Sequence, residues 1–346
     1  MALSMDRLSE LNAVSGFEDE ARAYLIPLIK EKCDSLEVDS MGNIIALKKG
    51  KSDKYKILLG TNIDEVGFIV SEITEKGFLK FKSVGSSDPR TLVSKRIVVG
   101  KDRIPGVIGM KAIHLQKKEE REAAVKVKDL YIDIGAKDKE DAEKSVKLGD
   151  IISFDTQCSE IGDIIKGKAL DRFGTVAVFN AMDEVPAYDT YFVFSAQREI
   201  SGRGMKIATF RINPDFALIV DTVNADDFPD TKSASAILGN GAVMRYKDLT
   251  SVSNVIFMKN LALMSKRNGI KTQNQTTSEG ASVAGSVNSA SYGAVTATVG
   301  IACRYSHTPV SYMRKDDINE VSNLCRAFVK ESDVIIDGFI KETDRI

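Results

Sequence analysis

Apolar positions along the chain follow two periods, and the switches between them mark out its elements. Ala21, Tyr24, Leu25, Leu28 and Ile29 recur at helical spacing, behind a Ser15 and Glu18 pair with the spacing of a capping box. Strand-length segments follow: LEVDS, then GNIIALKK after a Met41-Gly42 turn, then YKILLG running into TNIDEVGFIV. Beyond Ile73 the pattern changes to short extended pieces punctuated by Gly, Pro and Asp: GFLKFKSV, KRIVVG, IPGVIGM, DLYIDIG and GDIISFD. That run predicts a small β-barrel or sandwich, broken only by short helices near Lys117–Val125 and Asp138–Ser145.

Longer apolar patterns return after Gly167. RFGTVAVFNAMDEV reads as a helix, DTYFVFSAQ and DFALIVDT as fully buried strands, NVIFMKNLALMSKR as a helix and TATVGIACRY as a further buried strand. Ile318, Val321, Leu324, Cys325, Phe328 and Val329 stripe the final helix. The order places a β module inside an α/β domain that begins before it and resumes after it.

Composition narrows the classes of function. A hydrophobic fraction of 43% and a charged fraction of 28% are those of a globular chain, and 346 residues can bury a large core. The formal net charge of −1 gives no electrostatic reason to expect nucleic acid or an anionic membrane as a partner. No apolar stretch approaches a membrane span, and MALSMDRLSE lacks the apolar core of a signal peptide. Cys33, Cys158, Cys303 and Cys325 are scattered without a CxxC pair, which fits a reducing compartment, so the expected location is cytoplasmic.

Several polar residues stand where the predicted strands end. Asp64 and Glu65 follow KILLGTNI, Asp171 follows IIKGKAL, Glu199 follows FVFSAQ, Asp221 follows ALIV, and His307 follows TATVGIACRYS. Open α/β sheets bind ligands at the carboxyl ends of their strands, so these groups are placed to converge. Carboxylates with one imidazole form an oxygen and nitrogen set suited to zinc, cobalt or manganese rather than a calcium loop. The bland alternative is that each Asp caps a turn or helix. Of the two histidines, His114 in KAIHLQ falls in the β module, where a structural role is expected. Nothing matches a P-loop, a dinucleotide fingerprint, a GxSxG elbow or a cysteine nucleophile.

The strings LNAVSGFEDEAR, DSMGNIIA, IDEVGFIV, DPRTLVSKRIVV, IPGVIGMKAIHL, DLYIDIGA, GDIISFD, GKALDRFG, RINPDFALIVDT and RYSHTPV together resemble one family. It is that of the tetrahedral, or glutamyl (deblocking), dinuclear metallo-aminopeptidases, some of which carry the label cellulase M or endoglucanase. The resemblance runs over nearly the full length. It implies a zinc-peptidase-like α/β/α domain formed by residues 1–70 and 164–346, with an inserted small PDZ-like β-barrel at 71–163 used for dimerisation. It also implies homo-oligomers from dimers to hollow dodecamers, peptide substrates, and two bridged divalent ions with a glutamate as general base.

Carried over residue by residue, the resemblance is uneven. The family's first histidine ligand, in a His-x-Asp-Glu-x-Gly pattern, corresponds to Asn62, while Asp64, which would orient that histidine, is present. Asp171 corresponds to the bridging carboxylate, but runs straight into Arg172 without the family's usual second Asp or Asn. The paired glutamates become Arg198-Glu199, so a ligand survives and the base position holds an arginine. Asp221 and His307 match the remaining ligands. A guanidinium cannot take a proton from water, and an amide oxygen is a poor zinc ligand.

The resemblance therefore implies a metallo-aminopeptidase with a degraded site, holding one ion or none. It would act as a peptide-binding or regulatory subunit, for instance beside an active paralogue. An active one-metal aminopeptidase is the alternative, and a glycosidase using two of the carboxylates is a third reading.

Overall fold

The computed structural model describes residues 3–231 and 234–344, with the backbone only at residue 120. Its centre is an eight-stranded sheet in the order Ser35–Val38, Ile44–Lys48, Tyr188–Ser195, Ser52–Asn62, Phe216–Asn224, Val295–Cys303, Ala242–Lys247, Thr272–Thr276. The four middle strands are mutually parallel. They are also the most continuously apolar: Phe216–Asn224 is buried at every position but the last. Strands covered on both faces need no alternation, which explains such runs.

One face is covered by the helices Asp19–Lys30, Gly174–Ala181, Val255–Arg267, Lys315–Lys330 and Ser332–Thr343, whose apolar stripes join the largest core. On the other face the helix Arg203–Ile212 contributes Met205, Ala208 and Ile212 to a second core with Val283, Ala284 and Val287. The result is an α/β/α sandwich.

Six strands close into an antiparallel barrel in the order Gly67–Ile73, Leu79–Val84, Leu130–Asp133, Ile104–Met110, Arg96–Val99, Ile151–Phe154. Its interior is a separate core in which the Phe68 ring meets Phe81 and Phe154 edge-on at centroid distances of 5.0 and 5.7 Å. Closure leaves no open strand edge within it. The chain enters the barrel directly from the end of Ser52–Asn62. The barrel is therefore anchored beside the carboxyl edge of the large sheet.

A buried polar knot ties the two together. Lys168 Nζ donates to Asn12 Oδ1 at 2.8 Å and to Ser153 Oγ of the barrel at 2.6 Å, and pairs with Glu65 Oε1 at 3.3 Å. Glu65 Oε2 in turn meets Arg172 Nη2 at 3.2 Å. Glu65 thus answers two buried cations, which hold its carboxyl below the usual range although burial acts the other way.

Three local expectations are corrected. Ser15 and Glu18 form no capping box. Glu18 Oε1 instead accepts the Gly16 N–H at 2.7 Å and the Gln197 N–H at 3.0 Å, because the turn after Tyr188–Ser195 lies within its reach. The striped helix Lys315–Lys330 is not the final one, since the chain breaks at Glu331 and continues as Ser332–Thr343. His114 is exposed on the short turn Ile113–Leu115 and supports no core. No helix among the described residues is long and apolar enough to cross a membrane.

Candidate active site

The four parallel strands end side by side, and Asn62, Asp64, Asp171, Arg198, Glu199, Asp221 and His307 gather at or beside that edge. Asn62 is the last residue of its strand and Asp221 lies inside Phe216–Asn224. Asp171 comes from the single turn Leu170–Arg172 that precedes the helix Gly174–Ala181.

Arg198 and Glu199 sit in a turn beyond Ser195, not on the strand, so strand alternation does not separate them. The turn is fixed from three sides. Asn43 accepts the Ala196 N–H at 2.9 Å and donates to the Gly204 carbonyl at 3.0 Å, Glu18 accepts from Gln197, and Asp64 Oδ2 accepts the Glu199 N–H at 2.9 Å. Gln197 and Ser201 both have positive φ, 54° and 65°, a geometry non-glycine residues adopt only under such constraint.

So held, Arg198 points into the cluster. Its Nη1 pairs with Glu199 Oε1 and lies 3.2 Å from His307 Nε2, while Nη2 donates to Asp221 Oδ1 at 3.1 Å. The arginine side chain is 10% exposed and its two carboxylate partners less. Burial opposes the charge on Arg198, but Asp221, Glu199 and Asp171 outweigh it and hold the proton more firmly than usual. For Glu199 the attraction of Arg198 overcomes burial and lowers the carboxyl. Two neighbours behave oppositely. Burial, then the repulsion of Glu199, pushes Asp64 up to about 7, and burial pushes Asp171 up to about 6.

The donor set can be tested against divalent ions. Asp171, Glu199 and His307 offer one atom each within 4.8 Å of one another, and Asp171 Oδ2 is buried without a hydrogen-bond partner. The types in that set suit a divalent ion, although Arg198 now lies against both Glu199 Oε1 and His307 Nε2. Of the other family positions, Asn62 supplies no imidazole and its amide donates to the Asp64 carbonyl at 3.3 Å, while Asp221 gives Oδ1 to Arg198 and the Thr222 N–H and keeps Oδ2 buried without a hydrogen-bond partner.

His307 is carried by a strained loop, with Tyr305 and His307 at φ 59° and 60°. Arg304 steadies that loop by a two-pronged pair to Asp227, both contacts at 2.7 Å, and the Tyr305 ring stacks on Phe228.

Beside Arg198 and His307 opens a cavity of about 880 Å³. Sequence reading missed two of its side chains, Arg245 and Gln275, joined by a 2.9 Å hydrogen bond. The signal was a lone arginine inside the apolar run AVMRY, where a buried charge needs a reason.

Comparison with known proteins agrees with this architecture. Residues 42–324 match the M42 glutamyl aminopeptidase family. The glutamyl aminopeptidase of Lactococcus lactis is 30% identical over 341 residues, covering 93% of this chain and 94% of that protein. The TET aminopeptidase from the marine sediment archaeon Thaumarchaeota archaeon SCGC AB-539-E09 superposes with a TM-score of 0.93 at 29% identity, covering 97% of this chain and 98% of its own. The TET1 peptidase of Pyrococcus horikoshii, which can assemble into a tetrahedron or a large octahedral shell, gives 0.83 at 28% identity, covering 94% and 98%. With sequence matched over most of the chain and fold over nearly all of it, this protein belongs to the M42 glutamyl aminopeptidase family.

Proposed function

We propose that this chain is a metallo-aminopeptidase relative in which Arg198 has taken the place of one metal ion and of the general base, leaving a site that binds peptides and cleaves them weakly or not at all. The observation that carries the reading is the guanidinium lying against Glu199, His307 and Asp221 at once. A divalent ion would need those same atoms. A unit charge about 4 Å away is worth about 4 kcal/mol at an effective dielectric near 20, and the term doubles against a dication. Its role would then be peptide binding or the regulation of an active paralogue, in the cytoplasm, where free thiols such as those of Cys33 and Cys158 persist.

A second reading has its own observation, the unpartnered Asp171 Oδ2. Asp171, Glu199 and His307 would hold one zinc, cobalt or manganese ion, once Arg198 withdraws into the cavity. Bound there, an ion would supply Lewis-acid polarisation of a carbonyl and a more acidic water. The described site offers no glutamate at position 198 to take the proton, so turnover would need a base from elsewhere.

The inserted barrel, assigned from sequence to residues 71–163 and built of strands running from Gly67 to Phe154, would serve homo-oligomerisation, from a dimer up to a dodecamer. Light scattering at micromolar concentration tests this, and a monomer would contradict it. Hydrolysis of aminoacyl-p-nitroanilides after loading with zinc, cobalt or manganese tests the catalytic reading. The expected rate is close to that of the metal-free protein, and rapid turnover would overturn the proposal.

A further inference from the structure

A second cavity, of about 410 Å³, opens on the seam between the barrel and the large domain. Asn12 and Phe17, which precede the helix Asp19–Lys30, line one side, and Lys101, Asp150 and Ile151 of the barrel line the other. It shares no lining residue with the cavity beside Arg198 and His307. The volume is in the range of small-molecule sites.

Its polar groups are unequally satisfied. Asn12 is only 8% exposed, and its Oδ1 accepts from the buried Lys168 Nζ at 2.8 Å. That bond fixes the orientation of the amide and leaves Nδ2 as the donor that faces the cavity. Nδ2 makes no hydrogen bond among the described residues, and a buried donor left unpaired is costly. Across the seam, Lys101 forms no ion pair among the described residues. Asp150 spends Oδ2 on the Lys147 N–H at 2.8 Å and keeps Oδ1 free. Glu20, by contrast, is committed: Oε1 pairs with Arg103 at 2.6 Å and Oε2 accepts the Asn12 N–H at 3.2 Å. The apolar wall is the Phe17 ring, 41% exposed on an otherwise buried segment, with Ile151 opposite.

We propose that this cavity binds a free α-amino acid with an apolar side chain. Its carboxylate takes Asn12 Nδ2 and the Lys101 ammonium, its α-ammonium takes Asp150 Oδ1, and its side chain lies against Phe17 and Ile151. Two donors, one acceptor and an apolar wall match the parts of such a molecule, and both charged ends gain charge-assisted bonds. So bound, the ligand bridges the barrel to the segment whose Glu18 holds the Gln197 N–H of the Arg198 turn. The site asks nothing of Arg198 or of bound metal, so its failure would leave the aminopeptidase reading standing.

Isothermal titration calorimetry on the full protein in EDTA tests it with L-leucine, with 4-methylpentanoate, which lacks the ammonium, and with 3-methylbutylamine, which lacks the carboxylate. L-Leucine is expected to bind at least about tenfold tighter than either analogue. Asn12→Asp keeps the acceptor for Lys168 and removes the free donor, and should weaken leucine at least about tenfold. Lys101→Ala and Phe17→Ala change exposed side chains and should each weaken it at least about threefold. An analogue that binds as tightly as leucine, or no leucine binding at all, would overturn the proposal. So would leucine affinity undiminished in the variants, since the amino acid would then sit elsewhere. Should Asn12→Asp not fold, the two surface variants decide.

Discussion

Arg198 Nη2 donates to Asp221 Oδ1 at 3.1 Å, joining the turn after Tyr188–Ser195 to Phe216–Asn224 across the intervening strand Ser52–Asn62. The same guanidinium meets Glu199 and His307, so one side chain links most of the candidate ligands. Removing it frees three acceptors and deletes a positive charge that repels any cation. Arg198→Ala is expected to raise the affinity for zinc or manganese at least about a hundredfold, since a competing unit charge at this range is worth about 4 kcal/mol or more. Titration calorimetry on both proteins measures the change. Unaltered affinity would mean that the arginine and the ion do not compete.

The loop carrying His307 depends on a contact far along the chain. Arg304 holds Asp227 through two 2.7 Å hydrogen bonds, and the pair is partly solvent-exposed, so its contribution is modest. Asp227→Asn should cost about 1 kcal/mol of stability. Its larger effect should be local, as faster amide exchange over residues 303–311, because the positive φ values there need outside support. Uniform exchange across the chain would show that the clamp does not act on this loop.

Lys168 gives a stability signature in pH. Burial, with some help from Arg172, pushes its ammonium down to about 8 despite Glu65, against an ordinary value of 10.5. Between those values the unfolded chain holds a proton that the folded chain has released, so this group makes stability rise with pH. The slope reaches at most about 1.4 kcal/mol per pH unit and vanishes below the folded value. Lys168→Met should lack that rise in urea unfolding at pH 7.5, 9 and 10. Parallel curves for the two proteins would contradict the account.

Much of this fold could be read from local pattern. The runs FALIV, YFVF and TATVGIAC are buried on both faces, so composition alone reveals strands, and the short pieces between Leu79 and Phe154 declare a barrel through their turns. The helix Arg203–Ile212 escaped because its buried set, Met205, Ala208, Thr209 and Ile212, is small and mixed with lysine and arginine. Ser15 and Glu18 have the right spacing for a cap, but the pull of the Gln197 N–H, remote in sequence, decides where Glu18 goes.

Site residues were legible as types at strand ends, because strand topology carries them to one edge. Their partners were not. Nothing local to Arg198 says that the turn bends it toward Asp221. That follows from Asn43, Glu18 and Asp64 gripping the backbone on three sides. Arg245 was hidden for a similar reason, since its partner Gln275 stands on the separate strand Thr272–Thr276.

The count of bound ions tests the central claim most directly. The protein would be loaded with zinc, cobalt or manganese, dialysed, and analysed for metal per chain. An arginine seated among Glu199, Asp221 and His307, with the Asn62 amide turned to the Asp64 carbonyl, predicts no more than one ion per chain. Two ions per chain would contradict it, because both positions could then fill with Arg198 in place.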